Sequence, residues 1–138
     1  MLFRSAIGIS VTHRDHVPGV TLVTGHTKTG NSPNWKALVD SGTTLVIYMA
    51  IANIDAIVNG LTHNGMNANT PVAAIENATR ADQRALTATL GTLARRVHDE
   101  KLSSPAIIVI GEVVAFASAS LAAASLRASE HRADKRVA

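Results

Sequence analysis

Ser104-Pro105-Ala106-Ile107-Ile108-Val109-Ile110-Gly111-Glu112-Val113-Val114 is the stretch that decides the fold. Its five central residues are apolar without alternation, and Ile and Val favour a pleated backbone. Pro before the run and Gly after it bound a short strand. A strand apolar on both faces must be covered on both faces, which calls for a sheet between layers of helices. Working outward, Thr70-Pro71-Val72-Ala73-Ala74-Ile75-Glu76-Asn77-Ala78-Thr79 has the same form: a strand over residues 71–75, entered through Pro and closed by an acidic and small-residue turn. Where a buried strand ends in a small residue, a ligand can approach the backbone closely.

The flanking sequence supplies the other layers. Residues 20–24 form a β-branched run ending at Gly25, and residues 43–49 read as a second strand after the Ser41-Gly42 turn. Residues 27–34 have loop composition. Asn34 caps a short helix through Asp40, and Asn53 caps a helix over 54–63. In that second helix Ile54, Ile57, Val58 and Leu61 have helical spacing, and Asn64-Gly65 stops it. Residues 79–83 are a polar connection, and residues 113–127 are an Ala-rich helical stretch. The segment 84–90 is locally ambiguous, because its apolar residues fit either a helix running on to His98 or a strand.

Composition narrows the function. Of 138 residues 46% are apolar, enough for one packed domain, but only 3% are aromatic. The core is therefore aliphatic, and the chain lacks the stacking platform that exposed bases need, so nucleic acid is not an expected partner. The formal charge is only +3. Part of it sits beyond residue 126, where Arg127, Arg132, Lys135 and Arg136 are interrupted by Glu130 and Asp134, a pattern of a solvated tail. The absence of cysteine excludes disulfides and Cys-ligated zinc. His13 and His16 have no third ligand at fixed spacing, so no metal is expected. The lack of cysteine suits a cytoplasmic protein, and no apolar run reaches the ~18 residues of a membrane span. No Walker loop, nucleophile elbow or metalloprotease helix is present.

Several short blocks occur in a fixed order: Thr12-His13-Arg14, Val23-Thr24-Gly25-His26, Tyr48-Met49, Thr70-Pro71-Val72-Ala73, Asp82-Gln83-Arg84, Gly91-Thr92-Leu93, Ser104-Pro105-Ala106 and Gly111-Glu112-Val113-Val114. Each is weak alone. Together, over about residues 7–115, they resemble the C-terminal half of the uroporphyrinogen-III C-methyltransferases, within the tetrapyrrole methyltransferase family. The resemblance decides the ambiguous segment in favour of a strand over 84–90, followed by a helix over 92–100. It implies an α/β fold with a mixed sheet of about five strands flanked by helices, in which segment 84–90 is a candidate antiparallel strand. It divides the chain into a non-native leader (1–5), the C-terminal domain (6–117) and an Ala-rich helix with polar tail (118–138), the N-terminal domain being absent.

The resemblance also implies chemistry. Enzymes of this family transfer methyl groups from S-adenosylmethionine to ring carbons of uroporphyrinogen III, giving precorrin-2. They act as homodimers, by in-line displacement at the sulfonium methyl. The cofactor-contact residues it implies are Met49, Ala78, Thr70, Pro71, Val72, Ala73 and Gly111. The residues themselves leave Met49 open between core packing and a thioether seated on an adenine ring. The family prefers Gly where Ala50 and Ala78 stand, which matters only if the backbone there needs a positive φ. Glu112 reads as a helix N-terminal acid or a cleft-facing group. Arg14 pairs with Asp15 or binds a substrate carboxylate. The family's catalytic groups belong to the N-terminal domain, so this chain alone is expected to be inactive. Other readings are a later-step precorrin methyltransferase and a non-catalytic dimerisation or ligand-binding module.

Overall fold

The computed structural model describes residue 17 and residues 19–25 and 32–116. The elements in chain order are β1 (Val20–Thr24), α1 (Trp35–Asp40), β2 (Thr44–Tyr48), α2 (Ile54–His63), β3 (Pro71–Glu76), β4 (Arg84–Thr89), α3 (Leu90–Asp99), β5 (Ala106–Ile110) and α4 (Val113–Phe116). A 3₁₀ turn over Ile51–Asn53 leads into α2. The expected α/β architecture and five-stranded mixed sheet are present.

Strand order is β1-β2-β5-β3-β4. Among the described residues only β1 and β2 run parallel, and every other neighbouring pair is antiparallel. The apolar run Ala106–Ile110 sits at the centre, between β2 and β3, as its two-faced burial requires. Leu45, Ile47, Val72, Ala74, Ile108 and Ile110 point to one face, where Ile54, Ile57 and Leu61 of α2 and Leu90, Leu93 and Val97 of α3 cover them. Val46, Ala73, Ile75 and Val109 point to the other and pack with Val17, Val113 and Val114. β4 is antiparallel to β3 through all six of its residues. That pairing selects strand over helix in a segment whose own periodicity is neutral.

The helix boundaries follow their caps. Asn34 Oδ1 accepts from the Ala37 N–H at 3.1 Å, as expected of an N-cap. Asn53 departs from expectation: its side chain makes no cap and instead donates to the Gly25 carbonyl at 3.0 Å. α3 begins at Leu90 rather than Thr92, because the Thr92 hydroxyl reaches back to the Thr89 N–H at 3.1 Å and starts the helix there. On α1, the hydrogen bond to Asp40 at 2.7 Å, with the carboxylate's charge, holds the Lys36 ammonium above the ordinary lysine value.

α1 reaches α2 through one tight contact. A Cβ on Gly60 would stand 2.6 Å from the Trp35 ring. Gly60→Ala should gain about 1 kcal/mol of helix propensity, yet it must expel the ring. Trp35 is the only tryptophan, so its emission reports the event. The expected result is a red-shifted emission maximum; an unchanged maximum would mean the ring does not pack on Gly60.

Candidate functional site

The sheet ends at a cavity of about 480 Å³ on the side of the β2 C-terminus. Three chain segments converge there. β2 delivers Tyr48 and Met49, the β3 end delivers Ile75, Asn77, Ala78 and Arg80, and the entry to β5 delivers Ser104 through Ile107. The antiparallel register causes the convergence: Tyr48 faces Ile107, and Glu76 faces Ala106. The walls are mostly apolar. Arg80 is the one charged lining residue among the described residues.

The backbone at this end is unusual. Among the described residues, four non-glycine residues have positive φ: Met49 (53°), Asn77 (52°), Thr79 (72°) and Lys101 (51°). Met49 and Asn77 line the cavity, and Thr79 adjoins it. Non-glycine residues in this region cost on the order of 1–3 kcal/mol each and persist where surrounding contacts impose them. Those contacts are present. Around Met49, the Gly25 N–H donates to the Tyr48 carbonyl (2.7 Å), and the Asn53 N–H donates to the Ala50 carbonyl (3.1 Å). Around Thr79, the Gln83 side-chain oxygen accepts the Thr79 N–H at 2.8 Å, and Asn77 Nδ2 donates to Asp82 at 3.1 Å. The other Asp82 oxygen lies 3.4 Å from Arg80 Nε.

The residues expected from sequence separate into groups. Met49 and Ala78 come together on the cavity. Met49 is 57% exposed, so it lies on the rim and not in the core. Val72 and Ala73 are fully buried, on opposite faces of the sheet. Thr70, Pro71 and Gly111 lie at the far end of the strands, where the Gly111 N–H donates to the Pro71 carbonyl at 3.0 Å. The length of β3, about 17 Å for its span, stands between the two ends. Gly111 has φ 150°, and a Cβ there would stand 3.4 Å from Thr44 Oγ1, a buried hydroxyl without a partner among the described residues. Glu112 is exposed at the start of α4 and does not line the cavity. Arg14, His13, His16 and the tail lie outside the described residues. Ala50 has φ −87°, and Ala78 is not left-handed, so neither position requires glycine. Among the described residues no cluster of three or more His, Cys, Asp or Glu could hold a metal ion.

Sequence reading missed Tyr48, Asn77, Arg80, Pro105 and Ile107 as cavity residues, and it missed Glu76 as a buried carboxylate. Glu76 is 5% exposed. Its cross-strand partner is Arg84, of opposite charge, but the polar connection read over 79–83 is centred on residue 81 and does not give that pairing, so the sequence alone did not signal it.

The family model for Tetrapyrrole (Corrin/Porphyrin) Methylases matches residues 2–94. The chain belongs to the tetrapyrrole methylase family. Within that family, it is 50% identical over 109 residues to a uroporphyrinogen-III C-methyltransferase of Pseudomonas aeruginosa, covering 79% of this chain and 44% of the relative. It is 45% identical over 110 residues to a siroheme synthase of Pseudoalteromonas translucida, covering 79% and 23%. The chain thus spans less than half the length of these relatives. Among solved structures, the uroporphyrin-III C-methyl transferase of Thermus thermophilus complexed with S-adenyl homocysteine superposes with a TM-score of 0.70 at 28% identity, over 79% of this chain and 46% of that one. A cobalt precorrin-4 methyltransferase has the same fold, with a TM-score of 0.75 at 17% identity over 82% and 48%. Met49 and Ala78 fall within the matched residues 2–94.

Proposed function

We propose that the protein takes part in S-adenosylmethionine-dependent C-methylation of uroporphyrinogen III, and that the cavity bounded by Met49, Ala78 and Pro105 holds the cofactor. The observation that carries the reading is this cavity, in a chain 50% identical to a uroporphyrinogen-III C-methyltransferase. Its volume of about 480 Å³ lies in the ~300–1,000 Å³ range of small-molecule sites. Its composition suits a nucleoside with a sulfonium side chain: Ile75, Ala78 and Ile107 offer apolar wall to an aromatic base, and the Met49 thioether is polarizable enough to lie against it. The left-handed turns at Met49 and Asn77 bring backbone to the rim, where polar groups of a ligand can be met. When bound, the cofactor supplies an electrophilic methyl group. The chain's own residues bind and orient it, and the aliphatic walls exclude water.

Arg80, at the cavity edge, is a cation suited to a polycarboxylate substrate. The homodimer and the cytoplasmic setting belong to the same proposal. No helix among the described residues is long and apolar enough to cross a membrane. The chain alone is proposed to bind cofactor weakly and to form no precorrin-2, since it spans 44% of the relative's length.

The test is a titration of the ¹⁵N-labelled chain with S-adenosylhomocysteine, a measurement that tolerates weak affinity. The expected result is saturable amide shifts at Met49, Asn77, Ala78 and Ala106. Shifts centred on Thr70 and Gly111 would move the site to the other end of the sheet, and none at all would reject cofactor binding by this chain.

A further inference from the structure

The two walls of the cavity hang from two residues that do not touch its interior. Asn77 and Ala78 follow Glu76 directly, and Ser104 and Pro105 follow Ser103 directly. Glu76 and Ser103 are joined. Glu76 Oε1 accepts from the Ser103 N–H at 3.1 Å and from the Ser103 hydroxyl at 2.8 Å. Glu76 Oε2 lies 3.5 Å from Arg84 Nε, and Arg84 also donates to the Glu100 carbonyl, just beyond α3. One carboxylate therefore binds the β3 end, the β4 start and the approach to β5. The Asn77 N–H donates to the Pro105 carbonyl at 2.9 Å, one residue beyond Glu76 on one wall and two beyond Ser103 on the other.

A carboxylate 5% exposed is costly to bury unless its oxygens are satisfied. A well-packed apolar residue would serve stability alone as well. The Ser103 amide and hydroxyl converge on a single oxygen, which fixes where the chain enters the Ser104–Pro105 wall. We infer that Glu76 is a positioning residue: it sets the spacing of the two cavity walls and so the affinity for the cofactor. This rests on the reading that the cavity holds S-adenosylmethionine.

Glu76→Ala, Glu76→Gln and Ser103→Ala in the full chain test it, with S-adenosylhomocysteine affinity by NMR titration and amide exchange at Asn77 and Ser103 as separate readouts. Glu76→Ala removes every tie made by the side chain and leaves the Asn77–Pro105 backbone bond and the β3–β5 ladder in place; binding should weaken by about tenfold or more, with faster exchange at both amides. Glu76→Gln keeps an oxygen for Ser103 and should restore affinity to within about threefold of wild type. Ser103→Ala loses only the hydroxyl donor, should fold, and should bind about threefold more weakly. A merely structural role would lower the melting temperature of the Glu76 variants and leave the folded chain's affinity unchanged. Wild-type affinity and unchanged exchange in Glu76→Ala, or in Ser103→Ala should the former not fold, would overturn the inference. If the wild-type chain does not bind S-adenosylhomocysteine, the cofactor reading fails, and the exchange rates alone decide whether Glu76 holds the walls.

Discussion

Ala78→Trp should reduce S-adenosylhomocysteine binding by at least tenfold, about 1.4 kcal/mol or more, while the chain stays folded. Ala78 is partly buried against a core whose neighbours Ile75, Ala73 and Val109 are close-packed. An indole cannot be admitted inward, because overpacking such a core is unfavourable. It must turn outward into the cavity that Ala78 lines. The backbone at Ala78 is not left-handed, so the substitution brings no strain of its own. Thr70→Ala is the informative companion. Thr70 donates its hydroxyl to the Asn67 carbonyl at 2.6 Å, at the opposite end of β3. Its loss should leave affinity within about twofold. The reverse pattern, normal binding in Ala78→Trp and loss in Thr70→Ala, would place the ligand beside Pro71 and Gly111.

That pairing of variants exists because strand direction was not legible in the sequence. The runs themselves were. Residues 106–110 could only be a two-faced strand, and the spacing of Ile54, Ile57 and Leu61 could only suit an amphipathic helix, and both stand where their patterns put them. Met49 and Ala78 came from the family resemblance, since the local sequence left Met49 open between core packing and a ligand contact; the structure places both on the cavity. Thr70, Pro71 and Gly111 have the same local appearance, a small or Pro-marked boundary of an apolar run. What separates them is register: β5 is antiparallel to β2 and to β3, so the end of β5 lies beside the start of β3. No local pattern encodes that choice. The segment Arg84–Thr89 is a second case, since pairing with β3 overrides a neutral periodicity. Glu76 is a third. A charged residue at the edge of an apolar run reads as the strand's end, yet the hairpin partner Arg84 and the serine ahead of β5 let the strand carry it into the interior.

Gly25→Val should lower the melting temperature by roughly 5–15 °C, the consequence of about 1–3 kcal/mol of overpacking, and should abolish ligand binding in the fraction that folds. Gly25 ends β1 against the turn that presents Met49. A Cβ there would stand 3.0 Å from the Met49 carbonyl, 3.0 Å from Ala50 Cα and 3.0 Å from the Ile57 side chain. Two of these three neighbours are backbone, and the third is a fully packed core residue. None can yield easily, because Gly25 is tied on both sides. Its N–H donates to the Tyr48 carbonyl at 2.7 Å, and its carbonyl accepts from Asn53 Nδ2 at 3.0 Å. Branched methyls must therefore push the 48–50 backbone away from β1. These contacts help hold Met49 in its left-handed conformation, so displacement should let it relax to an ordinary φ and withdraw its thioether from the rim. The Met49 amide resonance reports this directly. A shifted Met49 signal with lost binding would establish that Gly25 seats the cofactor-facing turn, whereas a destabilised chain with wild-type affinity would show that the turn's geometry does not govern the site.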